Sequence, residues 1–298
     1  MTGLESILAA TVRTTTPLLL AGLGELITER AGVINIALEG AVIAGAFAAT
    51  VAASTMGVAG GYAGGLAAGA VVGVLLAVFV VGLGADQIIT GTALSLLALG
   101  ATGAMYRAMF GAGGVALSIP TSAPVRLPWL GALPVVGTAI FAQPAVTYVA
   151  LLLVPALWWY LYRTQSGLGL RAVGEAPRSA RAAGVSVRRV RTSAIVFGAM
   201  LGGLAGATLV LAQAGTFVEG MSAGRGFIAI AIVALGRWTP VGVALAAVVF
   251  GMATAMQYVV QSLGWPVRYE LVLMLPYALT LVALILSPRS AAPAMLAR

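Results

Sequence analysis

Residues 40–85 carry no charged side chain. One helical crossing of a bilayer takes about 20 apolar residues. The stretch therefore reads as two membrane-spanning helices with a turn between them, within 54–61. Five more uncharged runs, 87–106, 127–162, 192–218, 238–267 and 271–288, repeat the pattern. They lack the in–out alternation of an outer-membrane barrel. The chain is 61% hydrophobic and 8% charged, with a mean hydropathy of +1.06. These features define an all-α fold, a polytopic transmembrane helical bundle. We expect a single transmembrane domain over 1–298, with about 8–10 spans. The spans fall near 14–28, 31–53, 62–84, 88–106, 145–162, 192–213, 217–236, 241–260 and 269–287. The seventh is short of apolar length. The residues between Arg225 and Arg237 make only about 17 Å of helix, so a broken or re-entrant segment is expected there. The opening MTGLESILAATVR has neither the basic flank nor the cleavage site of a secretory leader.

Charge sets the orientation. All 16 basic residues are arginine. Seven of them, Arg163, Arg171, Arg178, Arg181, Arg188, Arg189 and Arg191, crowd into 162–191 with Glu175 as the only acid. The positive-inside bias puts this loop in the cytoplasm. The Pro-rich loop 107–144 then faces outside, as a structured loop with a short interfacial helix. The C-terminus, with Arg289 and Arg298, falls inside. The net charge of +8 reads as topology and not as nucleic-acid binding.

Absences narrow the chemistry. The chain has no Cys and no His, which excludes disulfides, Ser-His triads and His-based metal sites. Without Lys it cannot carry an ordinary phosphate-binding P-loop. Any ATP that drives it is hydrolysed elsewhere.

Small residues recur with helical spacing. Gly61, Gly65, Gly69 and Gly73 share one helix face, as do Gly198, Gly202 and Gly206. Such faces let helices approach closely in lipid, and close packing is the role we assign them.

Polar residues inside apolar sequence are the functional candidates. In ITERAGVINIALEG (27–40), Glu29 and Arg30 read as a helix end at the interface. Asn35 and Glu39, spaced i,i+4, share a face, as do Glu25 and Glu29. A carboxylate in hydrocarbon costs about 2.5–3.5 kcal/mol, so Asn35 and Glu39 are placed on a translocation path, against the alternative of a polar turn. Gln87, Gln213, Glu219 and Gln257 join them on polarity alone. In the basic loop, Glu175, Ala176 and Pro177 suit a helix start, and Gly184 suits its C-cap. The result is a short basic helix that could dock on another protein or simply set topology.

Three motifs, ERAGVINIALEG, LRAVGEAPRSARAAGVSV and FVEGMSAGRGFIAIAIVALGRWTP, stand in this order. Together they resemble the permease subunits of bacterial ABC importers of the ribose/branched-chain amino acid permease superfamily. The closest likeness within it is to the shorter permease of nucleoside or simple-sugar uptake systems. The resemblance covers Pro17 to Pro288. It implies that Arg171–Val187 is the coupling element for a separate ATPase subunit, through Arg171, Gly174, Glu175, Pro177, Ala180, Ala183 and Gly184. It also implies a second, related permease chain and an extracytoplasmic substrate-binding protein. No cofactor would be bound by this chain, and ATP and Mg would sit at the partner subunit. The setting is the lipid of the bacterial cell membrane. The solute is a nucleoside first, a simple sugar second and a branched-chain amino acid third. The rival is a proton-coupled secondary transporter with Glu39, Asp86 and Glu219 as relays. An intramembrane enzyme is disfavoured by the missing His, Cys and Lys, and an exporter by the motif match.

Overall fold

The computed structural model describes residues 3–111, 119–126, 140–262, 274–286 and 292–296. Ten α-helices are delimited among the described residues: α1 Gly3–Arg30, α2 Leu38–Ala77, α3 Gln87–Phe110, α4 Ala145–Arg163, α5 Gln165–Glu175, α6 Pro177–Ala182, α7 Val187–Leu209, α8 Arg225–Leu235, α9 Pro240–Ser262 and α10 Leu275–Leu286. Six of the described helices are long and apolar enough to cross a membrane.

The uncharged run opens α2, and α2 is a hairpin. Gly57 breaks it with φ 70° and ψ −170°, a region that glycine enters without steric penalty. Across the break, a Cβ on Gly64 would lie 2.8 Å from the Ala52 Cβ, and Gly65 lies beside the Gly45 carbonyl. The arms 38–56 and 58–77 therefore run antiparallel, as the two expected spans do. The second arm ends in a π-helical turn, Val78–Gly82.

Helices α1 and α7 form the centre. Burial takes in 72% and 83% of their spanning stretches, against 22% for α3. The patterned glycines explain how α7 serves so many neighbours. Gly198 meets Gly24 and Thr28 of α1, and Gly202 and Gly206 meet Leu38 and Val42 of α2. The other side of α7, at Ala199 and Gly203, receives Gly69 and Gly65 of the second arm. A Cβ on Gly206 would fall 2.7 Å from the Ala46 nitrogen. Packing this close without large side chains is what dispersion requires where lipid is as apolar as the core.

The direction of each helix follows from cross-links. Arg191 Nε donates to the Ala31 carbonyl at 3.2 Å, so α1 ends where α7 begins. This end also carries the arginine-rich 163–191 and is the basic end of the molecule. Helix α9 runs antiparallel to α1. Thr14 Oγ1 donates to Gly251 O at 2.7 Å far from the basic end, and Arg30 binds Trp238 at it.

Four expectations change. The first span is longer than 14–28, because α1 continues through Arg13 back to Gly3. Residues 31–37 are not helical, so the second span starts at Leu38. The seventh span shrinks to the 11 residues of α8, preceded by irregular 215–224. The Pro-rich loop contributes a two-stranded ribbon, β1 Pro124–Arg126 and β2 Ala142–Pro144, with Val125 opposite Gln143. The interfacial helix expected between them falls largely outside the described residues, as do the flanks of α10.

Candidate translocation path and docking face

At the basic end the chain leaves α1, turns at Gly32 with φ 80°, and re-enters the bundle as irregular, non-helical backbone. Three polar side chains make that possible. Glu25 Oε1 accepts the Asn35 N–H at 2.9 Å. Gln87 Oε1, at the start of α3, accepts the Ile34 N–H at 3.1 Å. Ser95 Oγ donates to Ile36 O at 2.9 Å and accepts from Gly40 N at 3.3 Å. Buried backbone outside a helix must find such partners. Helix α2 then begins beside Gly202, about 16 Å along α7 from Arg191 at 1.5 Å per residue. Its first turn thus lies deep in the bundle, well away from the basic end.

Helix α8 also begins inside, and at the same place. The Glu39 carboxylate accepts the Gly224 N–H at 2.9 Å and the Gly226 N–H at 2.7 Å. A helix start leaves such donors unpaired and carries partial positive charge, so the carboxylate answers both. Gly226 is required by contact, since its Cβ would lie 2.9 Å from the Leu38 carbonyl carbon. The segment leading to α8 is fixed at its other end. Glu219 pairs with Arg107 of α3 at 2.6 Å, and the Phe217 ring lies 5.6 Å from Phe47 and 5.1 Å from Tyr106. One turn ahead of Glu39, Asn35 is fully buried. Neither its amide nitrogen nor its amide oxygen has a hydrogen-bond partner. Each such group costs about 1–3 kcal/mol to leave unpaired.

The carboxylates of α1 are deeper than a helix end at the interface allows. Arg30 does close α1, but Glu25 and Glu29 are 0% and 2% exposed. Trp238 Nε1 donates to Glu29 Oε2 at 2.5 Å. Arg30 donates to the Trp238 carbonyl through Nε at 2.8 Å and Nη2 at 2.5 Å. Arg237 and Trp238 both have φ near 53°, a costly conformation for residues with a Cβ. The end of α1 holds the α8–α9 turn in it. Sequence reasoning missed Trp238. The available signal was a large aromatic beside Thr239-Pro240, where a helix must start.

At the basic end, α5 and α6 form the exposed hairpin. Thr164 caps α5 by accepting the Gly167 N–H at 3.0 Å, and Arg171 stacks on Tyr162 with 5.0 Å to the ring centroid. Gly174 is buried against the Arg30 carbonyl, with no room for a side chain. Glu175 ends α5 and accepts the Ala294 N–H at 3.1 Å. Met295 N donates to Gly174 O at 3.2 Å beside it. The next helix, α6, starts two residues after Glu175, at Pro177, with Ala176 at its N-cap and no side-chain cap. Ala180 packs with Val173 and Val187, while Arg178, Ser179 and Arg181 face out. Ala183 closes the helix, and Gly184 turns away with φ 84°.

The candidates therefore fall into separate groups. Asn35 and Gln87 meet at the re-entering segment, with Glu39 one turn further on, and Glu39 holds the end of 215–224 while Glu219 holds its middle. Gln213, whose amide donates to Arg13 O at 2.8 Å, lies at the other end of the molecule. Gln257 sits on α9 beyond Gly251, also toward that end. No group of three metal-ligating side chains occurs among the described residues.

A bundle of glycine-packed spans with broken helices and an exposed basic hairpin is the architecture of a membrane permease. Residues 7–284 match the model of the branched-chain amino acid transport system permease component, and the chain belongs to that family. It is a multi-pass membrane protein and the transport component, not the ATP-hydrolysing one. It is 40% identical over 263 residues to the putative glucose ABC transporter permease TsgC13 of Haloferax volcanii, covering 87% of this chain and 78% of the relative. It is 33% identical over 291 residues to the guanosine ABC transporter permease NupQ of Bacillus subtilis, covering 94% and 91%. A second guanosine permease of that bacterium, NupP, is 32% identical over 253 residues, covering 81% and 70%. No solved structure matches the chain.

Proposed function

We propose that the protein is the membrane-spanning permease of an ATP-driven importer in a bacterial cell membrane, with the basic end in the cytoplasm. A binding protein delivers the solute on the opposite face. An ATPase subunit, holding ATP and Mg, docks on the α5–α6 hairpin. The observation that carries this reading is α6 itself. It is a short helix fixed to the bundle through Ala180, with Arg178, Ser179 and Arg181 exposed for a partner. Gly174, near the end of α5, touches the turn after α1, from which the re-entering segment and Asn35 follow. A displacement of α6 is thereby felt where α2 and α8 begin.

The path we assign passes this meeting of helix starts. Asn35 is the solute contact, because its amide is buried and unpartnered. One donor–acceptor amide suits a neutral solute with ring nitrogens and hydroxyls. A nucleoside is therefore the first substrate and a simple sugar the second. The similarity to the guanosine permease, which extends over nearly all of both chains, supports that order. The coexistence of NupQ and NupP in one bacterium supports pairing with a second, related permease. A proton relay through Glu39, Asp86 and Glu219 is not favoured. Glu39 caps α8, Asp86 caps α3, and Glu219 holds Arg107, at three different levels of the bundle.

The absence of native cysteine gives a direct test. In membranes containing the full transporter, Asn35→Cys should react with an aqueous thiol reagent in one nucleotide condition and be protected in another. Leu20→Cys, in the core of α1, should stay unreactive throughout. Equal reactivity of Asn35→Cys in all nucleotide conditions would remove this residue from an alternating path.

A further inference from the structure

At the basic end a groove of about 760 Å³ opens between the end of α2 and the start of α7. Its walls are apolar, with Val78 and Leu83 on one side and Val196 on the other. Val78 and Leu83 are 50% and 72% exposed. Its mouth is basic, since Arg188 and Arg189 line it on the first turn of α7, with Thr192 one turn deeper. No acidic side chain lines it. Asp86, the nearest acid in sequence, spends its carboxylate on the N–H groups of Ile88 and Ile89. Neither arginine has an ion-pair or hydrogen-bond partner among the described residues, where Arg107–Glu219 is the one salt bridge.

We propose that this groove binds an anionic phospholipid of the cytoplasmic leaflet. The geometry separates the two halves of such a molecule. Arg188 and Val196 are eight residues apart on one helix, about 12 Å along its axis. That puts the guanidinium groups at headgroup depth and the valine among the acyl chains. A guanidinium binds a phosphodiester bidentately and is weakly hydrated. The positive end of α7 adds to the attraction. A free anion would use the arginines but has no use for the apolar walls. A zwitterionic lipid fits the walls but brings its own cation to the mouth. The site joins the second arm of α2 to α7 where α7 leaves the α5–α6 hairpin, so occupancy braces the base of the docking element.

Native mass spectrometry of the purified transporter tests this, with dioleoyl-phosphatidylglycerol and dioleoyl-phosphatidylcholine as probes. Each basic residue near a membrane surface contributes about a factor of five in affinity for anionic lipid. The variant carrying Arg188→Gln and Arg189→Gln should thus retain phosphatidylglycerol about thirtyfold less well than wild type. Phosphatidylcholine retention should not change, and millimolar inorganic phosphate should not displace the lipid. Val78→Trp, which fills the wall and keeps both charges, should also lose phosphatidylglycerol. Unchanged phosphatidylglycerol retention in either variant would overturn the proposal. So would full displacement by phosphate. Loss of the ATPase subunit from the double variant with lipid binding intact would assign the arginines to that interface and overturn it equally.

Discussion

At the scale of single residues, the molecule stores its polar groups in pairs that fix irregular backbone. Trp238 is the clearest case. Its indole N–H is given to Glu29, and its carbonyl takes two bonds from Arg30, so a left-handed turn is held from α1. Trp238→Phe removes that donor and keeps a smaller aromatic ring at the buried position. It should leave a buried carboxylate oxygen unpaired and destabilise the protein by about 1–3 kcal/mol, read as an earlier unfolding transition in detergent. An unchanged transition would mean that the Glu29 contact does not hold the turn. Much of this was hidden in the sequence. The spacing of Glu25 and Glu29 is visible, but their depth is not, because a carboxylate near an apolar boundary looks the same whether it faces water or the interior. Glu39 was recognisable as out of place in hydrocarbon. Its partners, the backbone N–H groups of Gly224 and Gly226, have no sequence signature at all.

At the scale of elements, glycine spacing decides how near α2 and α7 come. Gly206→Val should push these helices apart, because even a Cβ would overlap Ala46. Overpacking of this kind costs about 1–3 kcal/mol, enough to lower the yield of folded protein. Gly100→Val on the exposed face of α3, where nothing lies within 4 Å, should fold as wild type. Equal yields for both would contradict the packing account. These helices were readable from the chain. The Gly61–Gly73 and Gly198–Gly206 repeats point to close faces, the run 40–85 to a hairpin, and Pro177 with Gly184 to α6. The half-helix α8 was legible as a span too short to cross. The non-helical segment 31–37 was not. Its Val and Ile residues suit a membrane helix as well as an extended segment, and only the side chains of Glu25, Gln87 and Ser95 decide the matter.

At the scale of the whole molecule, two starts of helices inside the bundle connect to one exposed hairpin at the basic end. The connection is short: α6, Gly174, the turn at Gly32, Asn35, Glu39, α8. Family membership could be read from three motifs because they are the parts of the chain that meet other parts. The solute could not, because under the proposed function a separate binding protein selects it and leaves few demands on the permease. The measurement that bears most directly on the account is uptake of labelled guanosine and glucose into proteoliposomes holding the chain with its partner subunits. The comparison is wild type against Gly184→Pro, a change that the φ of 84° at this position forbids. We predict uptake that requires both ATP and the binding protein, and its loss in the variant while the chain still inserts and folds. Transport by this chain alone, driven by a proton gradient and indifferent to Gly184→Pro, would contradict it.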